Sequence, residues 1–288
     1  NELEKYNLIG YHENNKEFQH WKNRNWQYSL DYYSFSRSIY FKDNGQNYNE
    51  KRLEILQSFM AQDGPPPAPR KIRNNKRNVK LDNIFNENPK MNFGELLKRR
   101  TNIEEFSPES ISFNQFSKVL YEAFEDIRVE RERLNENNDI INLLKGISYP
   151  FDFYVMIFNV EDIDNGIYFY DVVEHELELI NKGCFRDELQ KIMIGQQSPL
   201  TSAFSLFISV NYMRKQWRYR HERGLRNTYI NSAQICQKFL LGATNNRMFC
   251  NITPATRDSH IADLLKLENT REQVLYTINT GFSGKKQN

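Results

Sequence analysis

The sequence predicts an α+β fold, and two observations carry that reading. Segments of helical periodicity, 112–125 and 228–243, alternate with short runs that are β-rich and almost continuously apolar, Phe151–Val160 and Ala203–Tyr212. No segment repeats elsewhere in the chain. With 288 residues, 39% of them hydrophobic and 14% aromatic, the chain can enclose a large core. The expected architecture is a central mixed sheet flanked by helices. Its strands lie near 151–160, 166–171, 204–212 and 273–279.

Residues 1–60 are aromatic and polar, with Trp21, Trp26, Tyr28, Tyr32, Tyr33 and Phe35 among them. Such density argues for packing over disorder. A groove for an extended peptide is the sharper reading of the same aromatics. Leu53, Leu56 and Phe59 have the spacing of a short helix. Gly64–Pro69 reads as an extended linker, because its prolines restrict φ. The basic run Arg70–Lys80 is either a solvated loop or a patch for an acidic leader peptide. Residues 1–85 are therefore expected to be an N-terminal extension, and 86–288 the main domain.

Phe93, Leu96 and Leu97 have helical spacing, and that turn ends in Lys98, Arg99 and Arg100. Phe106, Ser107 and Pro108 break the pattern, and Ser112 is placed to cap the next helix. Phe113, Phe116, Val119, Leu120 and Phe124 form its apolar face. Two adjacent arginines and a hydroxyl, Arg99-Arg100-Thr101, can hold a phosphate through charge-assisted bonds. The same cations equally suit a helix C-terminus.

Beyond Ile127 the chain is highly charged, and Arg128, Arg131 and Glu132 are expected on a solvated helix face. An Asn-Glu-Asn-Asn string then suggests a mobile loop. Gly166–Asp171 and Leu177–Ile180 read as further strands, with His175 and Glu176 in the turn between them. Cys184–Ile194 reads as helix. Arg214–Arg226 is a second basic cluster. The helix at 231–243 buries Ile235, Phe239 and Leu240, and His260–Leu267 is a short helix before the final strand.

Composition excludes several classes. The net charge of +2, with acids and bases interleaved, gives no case for nucleic acid. No run of about 18 apolar residues suggests a membrane span, and no signal-peptide pattern is seen, so a cytoplasmic location is expected. Cys184, Cys236 and Cys250 are odd in number and far apart, which suits reduced thiols and argues against structural zinc. The histidines never stand at HxxxH or HExxH spacing, so no metal site is expected. GxGxxG, the P-loop and GxSxG are all missing from the sequence.

In order and spacing, PPPAPRK, RRT, YPFDFYV, GIYFYDVVEHELELI, WRY…RGLR, AQICQKFLLGA and EQVLYTINTG resemble the SagB-type dehydrogenases of the nitroreductase superfamily. The resemblance covers nearly the whole chain. It implies a nitroreductase-like fold, an intertwined homodimer or heterodimer, and FMN at the subunit interface. It also implies oxidation of thiazoline or oxazoline rings to azoles in a ribosomally made peptide with a leader, and a complex with a cyclodehydratase. Carried over by motif, Arg99, Arg100 and Thr101 would hold the FMN phosphate and Gln237 would contact the cofactor. Lys285 and Lys286 are further phosphate candidates. Tyr219 would take the substrate proton, and Arg218 would stabilise its phenolate.

Three departures bear on the chemistry. Where the family carries Lys-Tyr, this chain has Arg218-Tyr219, and an arginine cannot itself shed a proton. A Pro-Ser-Gly-Gly-like turn is replaced by Leu143-Leu144-Lys145-Gly146. Ala233-Gln234 and Gln237-Lys238 replace Gly-His and Gln-Asn. Two alternatives therefore accompany the dehydrogenase: a flavin-dependent reductase of dehydroamino acids, and a non-catalytic, flavin-less subunit that supports an active partner.

Overall fold

The computed structural model describes residues 16–37, 48–71, 78–85, 91–136, 149–268 and 270–284. The chain divides into two compact units, one of residues 1–64 with Tyr219–Asn227, the other of Pro65–Arg218 with Thr228–Asn288.

The second unit is built on a seven-stranded sheet. Its strands are β1 (Asn78–Lys80), β2 (Phe151–Ile157), β3 (Gly166–Asp171), β4 (Glu176–Lys182), β5 (Phe204–Asn211), β6 (Phe249–Thr253) and β7 (Glu272–Gly281), in the order β1-β4-β3-β2-β5-β7-β6. Every ladder between these strands is antiparallel. Among the described residues, parallel pairing occurs only as isolated bridges, Asn102 with Cys250 and Ile111 with Val160.

The continuous apolar run at β2 has a plain cause: all seven of its residues are buried. Phe151, Phe153, Val155 and Ile157 enter one core, and Tyr154 and Met156 enter another, as a two-residue period requires. The first core is covered by helix α5 (Phe113–Ala123) and the long helix α10 (Arg223–Asn245). Phe124 lies 4.1 Å from Phe153 between ring centroids, and Phe116 lies 5.0 Å from Phe204. The second core is covered by α7 (Arg186–Ile192), through Leu189 and Ile192, and by α11 (Asp258–Leu265), through Ile261 and Leu265.

The start of α5 follows the capping expectation. Ser112 and Gln115 form a reciprocal capping box at α5. The short helix α4 (Phe93–Arg99) is capped by Asn92, which accepts from the Glu95 N–H at 3.0 Å.

One expectation is corrected. Arg128 and Arg131, on α6 (Glu125–Glu136), are buried and not on a solvated face. Arg131 donates to the Phe151 carbonyl at 2.6 Å; Arg128 donates to the Tyr121 carbonyl and stacks over its ring at 3.5 Å. Each buried cation is thus hydrogen-bonded, which is the condition for burial. The far end of the Pro-rich segment is pinned. The Ala68 carbonyl accepts from Arg214 Nε at 2.8 Å, Arg70 pairs with Asp171 at 2.9 Å, and Lys71 pairs with Glu272 at 2.9 Å. The first two residues of the basic run are therefore satisfied within the chain; Ile72–Arg77 lie outside the described residues.

The first unit contains α1 (Lys16–Lys22), α2 (Gln27–Arg37) and α3 (Tyr48–Asp63). Trp21 meets Trp26 edge-on at 6.0 Å and stacks on Tyr33 at 6.5 Å. The segment 219–227 belongs here: Arg220 pairs with Asp63 at 2.6 Å and covers the Phe59 ring. Trp26, Tyr28 and Phe35 stay exposed. Tyr6 and Tyr11 lie outside the described residues.

Candidate functional site

The arginine pair stands where α4 ends. Arg100 N–H still bonds to Leu96 O at 3.0 Å, but its ψ of 103° turns the chain into an extended segment. That segment lies along β6: Ile103 N–H donates to Cys250 O at 3.2 Å, and Asn102 Oδ1 accepts from Ile252 N–H at 3.3 Å. Further along, Ser107 N–H donates to Phe282 O at 2.8 Å, so the chain beyond β7 is held to the same segment. Gly281 makes the approach possible, since a Cβ there would lie 2.9 Å from Phe106 Cδ1. Lys285 and Lys286 lie outside the described residues.

Arg99 is half-buried, with its guanidinium 5.7 Å from the centre of the Phe249 ring. Its Nε is buried and has no hydrogen-bond partner among the described residues. An arginine fork held in this way lacks an acceptor, and a phosphate or carboxylate is the group that would satisfy it. Arg100 is half-buried beside it and Thr101 is exposed. Cys250, below them, is inert: burial pushes its thiol up to about 12.

Gln237 stands apart, on the outer face of α10, where it lines a cleft of about 440 Å³. It precedes Asn245 by eight residues, or about 12 Å along the helix. Asn245 Oδ1 accepts from Met91 N–H at 3.3 Å, next to the start of α4. Helix α10 therefore reaches from the cleft to the segment that precedes α4.

The basic cluster separates into two parts. Helix α9 (Tyr212–Arg218) follows β5 directly and carries Arg214, Lys215 and Arg218. Arg214 and Asp152 are both buried and paired at 2.8 Å, with Arg131 at 3.9 Å from the same carboxylate. Lys215 is also buried, and burial together with the neighbouring Arg218 brings its ammonium down to about 8. Lys215 is the acid–base candidate that the sequence reading missed. Its one signal was a lysine one helical turn before Arg218, in a family where a lysine precedes the tyrosine. Tyr219 belongs to the other unit, half-buried, with its ring edge-on to His221 at 6.3 Å. Gly224 packs on it: a Cβ there would lie 3.2 Å from Tyr219 Cβ. The substituted turn Leu143–Gly146 lies outside the described residues.

Among the described residues no group of His, Cys, Asp and Glu could hold a metal ion, and no helix is long and apolar enough to cross a membrane.

The fold and site define a class: an α+β protein whose single sheet is sandwiched between helical layers and which keeps an unsatisfied arginine fork at the end of a short helix. The chain belongs to the nitroreductase family, whose model matches residues 96–282. Members of that family are oxidoreductases and usually bind FMN. Trifolitoxin operon protein TfxC of Rhizobium leguminosarum bv. trifolii is 28% identical over 272 residues, covering 91% of this chain and 74% of the relative. A crystal structure assigned as a nitroreductase, from Anabaena variabilis, superposes with a TM-score of 0.58 at 17% identity. It covers 72% of this chain, which spans only 42% of that longer one. The Escherichia coli microcin synthetase McbBCD complex with truncated pro-MccB17 bound has a matching chain at a TM-score of 0.53 and 16% identity, over 82% of this chain and 95% of that one.

Proposed function

We propose that the protein is an FMN-dependent dehydrogenase that oxidises thiazoline or oxazoline rings to azoles in a ribosomally made peptide. The observation that carries this reading is the buried, unpartnered Nε of Arg99 beside Arg100, a cation pair awaiting an anion. The trifolitoxin-operon relative and the microcin synthetase neighbour are what give the peptide its place in the proposal.

Arg99 and Arg100 would bind the phosphate as forks, and the Thr101 hydroxyl would add a third donor. Bound there, FMN would supply the two-electron acceptor that ring oxidation needs. Ring oxidation also requires loss of the substrate Cα proton. Tyr219 is our candidate acceptor, and Arg218 its electrostatic support. Lys215, whose ammonium burial and Arg218 bring down to about 8, is a second group able to hold a proton in this region of the chain. The protein acts as an intertwined dimer in the cytoplasm, alongside a cyclodehydratase that makes the azoline.

The test is direct. The purified protein should carry flavin absorbance and convert an azoline peptide to the azole, read by mass spectrometry as loss of a pair of hydrogens per ring. A protein that stays colourless with added FMN overturns the reading. It would favour the flavin-less subunit, to which the altered Leu143-Leu144 turn and Ala233-Gln234 also point.

A further inference from the structure

Residues 68–71 meet one end of the sheet and tie several of its strands together. Arg70 pairs with Asp171, the last residue of β3, at 2.9 Å. Lys71 pairs with Glu272, the first residue of β7, at 2.9 Å, and donates to the Tyr154 hydroxyl of β2 at 3.3 Å. Strands β2 and β5 lie between β3 and β7, so two neighbouring side chains grip opposite sides of a four-strand span. Glu272 is buried, and a buried carboxylate requires a paired cation such as Lys71.

The same segment holds α9 through Arg214. This side chain is buried, and its guanidinium is engaged in two directions. Nε donates to the Ala68 carbonyl at 2.8 Å, and Nη1 donates to Asp152 Oδ2 at 2.8 Å. A planar fork bound on two sides is fixed in rotation as well as in position. Arg214 lies in the first turn of α9, next to Lys215 and one turn before Arg218. Helix α9 has only seven residues, too few to be stable without outside anchors. Its other anchor also ends beside Glu272, where the Tyr212 hydroxyl donates to Gln273 Oε1 at 2.5 Å.

We infer that Arg70 and Lys71 are positioning residues for the proposed reaction. They pin the segment whose Ala68 carbonyl aims Arg214, and through Arg214 they orient the helix that carries Lys215 and Arg218. The inference rests on the dehydrogenase proposed above and names what holds its proton-transfer region in place. The arginine pair of the phosphate site belongs to the segment that meets β7 at its other end, where Gly281 packs on Phe106. Nine residues of strand separate Gly281 from Glu272, about 30 Å, so FMN retention serves as a control.

The double variant Arg70→Gln/Lys71→Gln removes both cations from side chains that are 21% and 23% exposed. Hydrogen exchange read by mass spectrometry, on the full chain with FMN bound, should show the amides of α9 exchanging about tenfold faster. FMN affinity should match that of the unmutated protein. On an azoline peptide, kcat should fall by about one to two decades at an unchanged KM, as misplacement of a reacting group requires. The swap Arg70→Lys/Lys71→Arg keeps both charges and should restore most of kcat. Should the double variant fold poorly, Arg214→Lys is expected to give the same pattern, since it keeps a charge for Asp152 and loses the Nε–H that meets Ala68. Unchanged exchange in α9 of a folded variant overturns the inference, and so does a loosened α9 with unchanged kcat. A loosened α9 in a protein that oxidises no azoline would leave the anchor standing and remove the dehydrogenase. Ring oxidation with α9 unmoved in the double variant would do the reverse.

Discussion

The Tyr170 hydroxyl donates to His175 Nδ1 at 2.8 Å, inside the turn that joins β3 to β4. The direction is set from the other side of the ring, where Nε2 lies 2.8 Å from the Asp82 carbonyl and must carry the proton. A second proton would reverse that bond, with Nδ1 donating to the Tyr170 oxygen. Burial brings His175 down to about 4, and the positive charge of Arg128 works the same way.

A pH dependence of stability follows. Between about 4 and the ordinary histidine value of about 6.5, the unfolded chain binds this proton and the folded chain does not. Stability is therefore complete above about 6.5 and falls as pH drops toward 4, by on the order of 2–3 kcal/mol. Urea midpoints across this window should show the slope. His175→Asn, which tolerates the positive φ of 51° at this position, should flatten it.

Asp152 is the counter-charge of Arg214 and stands 3.9 Å from Arg131, with all three side chains buried. Asp152→Asn keeps the shape and leaves two buried guanidinium groups without a carboxylate. The expected loss is about 3–5 kcal/mol of unfolding free energy. Chemical denaturation of the variant measures it; a loss under about 1 kcal/mol would mean that water or carbonyl groups already carry those charges.

Arg99→Ala or Arg100→Ala should weaken FMN binding by about one to two decades, the value of a charge-assisted bond, while the fold stays intact. Equilibrium dialysis against free FMN reads the affinity, and circular dichroism reads the fold. Unaltered affinity in both variants would place the anchor elsewhere, with Lys285 and Lys286 as the next pair to replace.

Tyr219→Phe keeps the ring and removes the hydroxyl alone. Turnover on an azoline peptide should fall by about two to four decades, the range for a general base, with flavin retention unchanged. Turnover equal to that of the unmutated protein would remove Tyr219 and shift attention to Lys215.

Local physics made much of this protein legible in its sequence. Strand β2 was readable because a strand buried on both faces is apolar almost throughout, Asp152 being its one charged residue. Helix α5 was readable because Ser112 and the stripe from Phe113 to Phe124 encode a cap and a face within one short window. The arginine pair was visible as two adjacent cations before a helix break. Tertiary structure decided the rest, because each remaining question turned on partners far apart in the chain. Arg131 is buried because Phe151 and Asp152 receive it, and Ala68 is pinned because Arg214 reaches it from 146 residues away. Lys215 is close to neutral pH because α9 is packed, a property of its surroundings that no spacing of residues reveals. Charge and periodicity belong to the sequence; which charge is stripped of water, and by what, belongs to the fold.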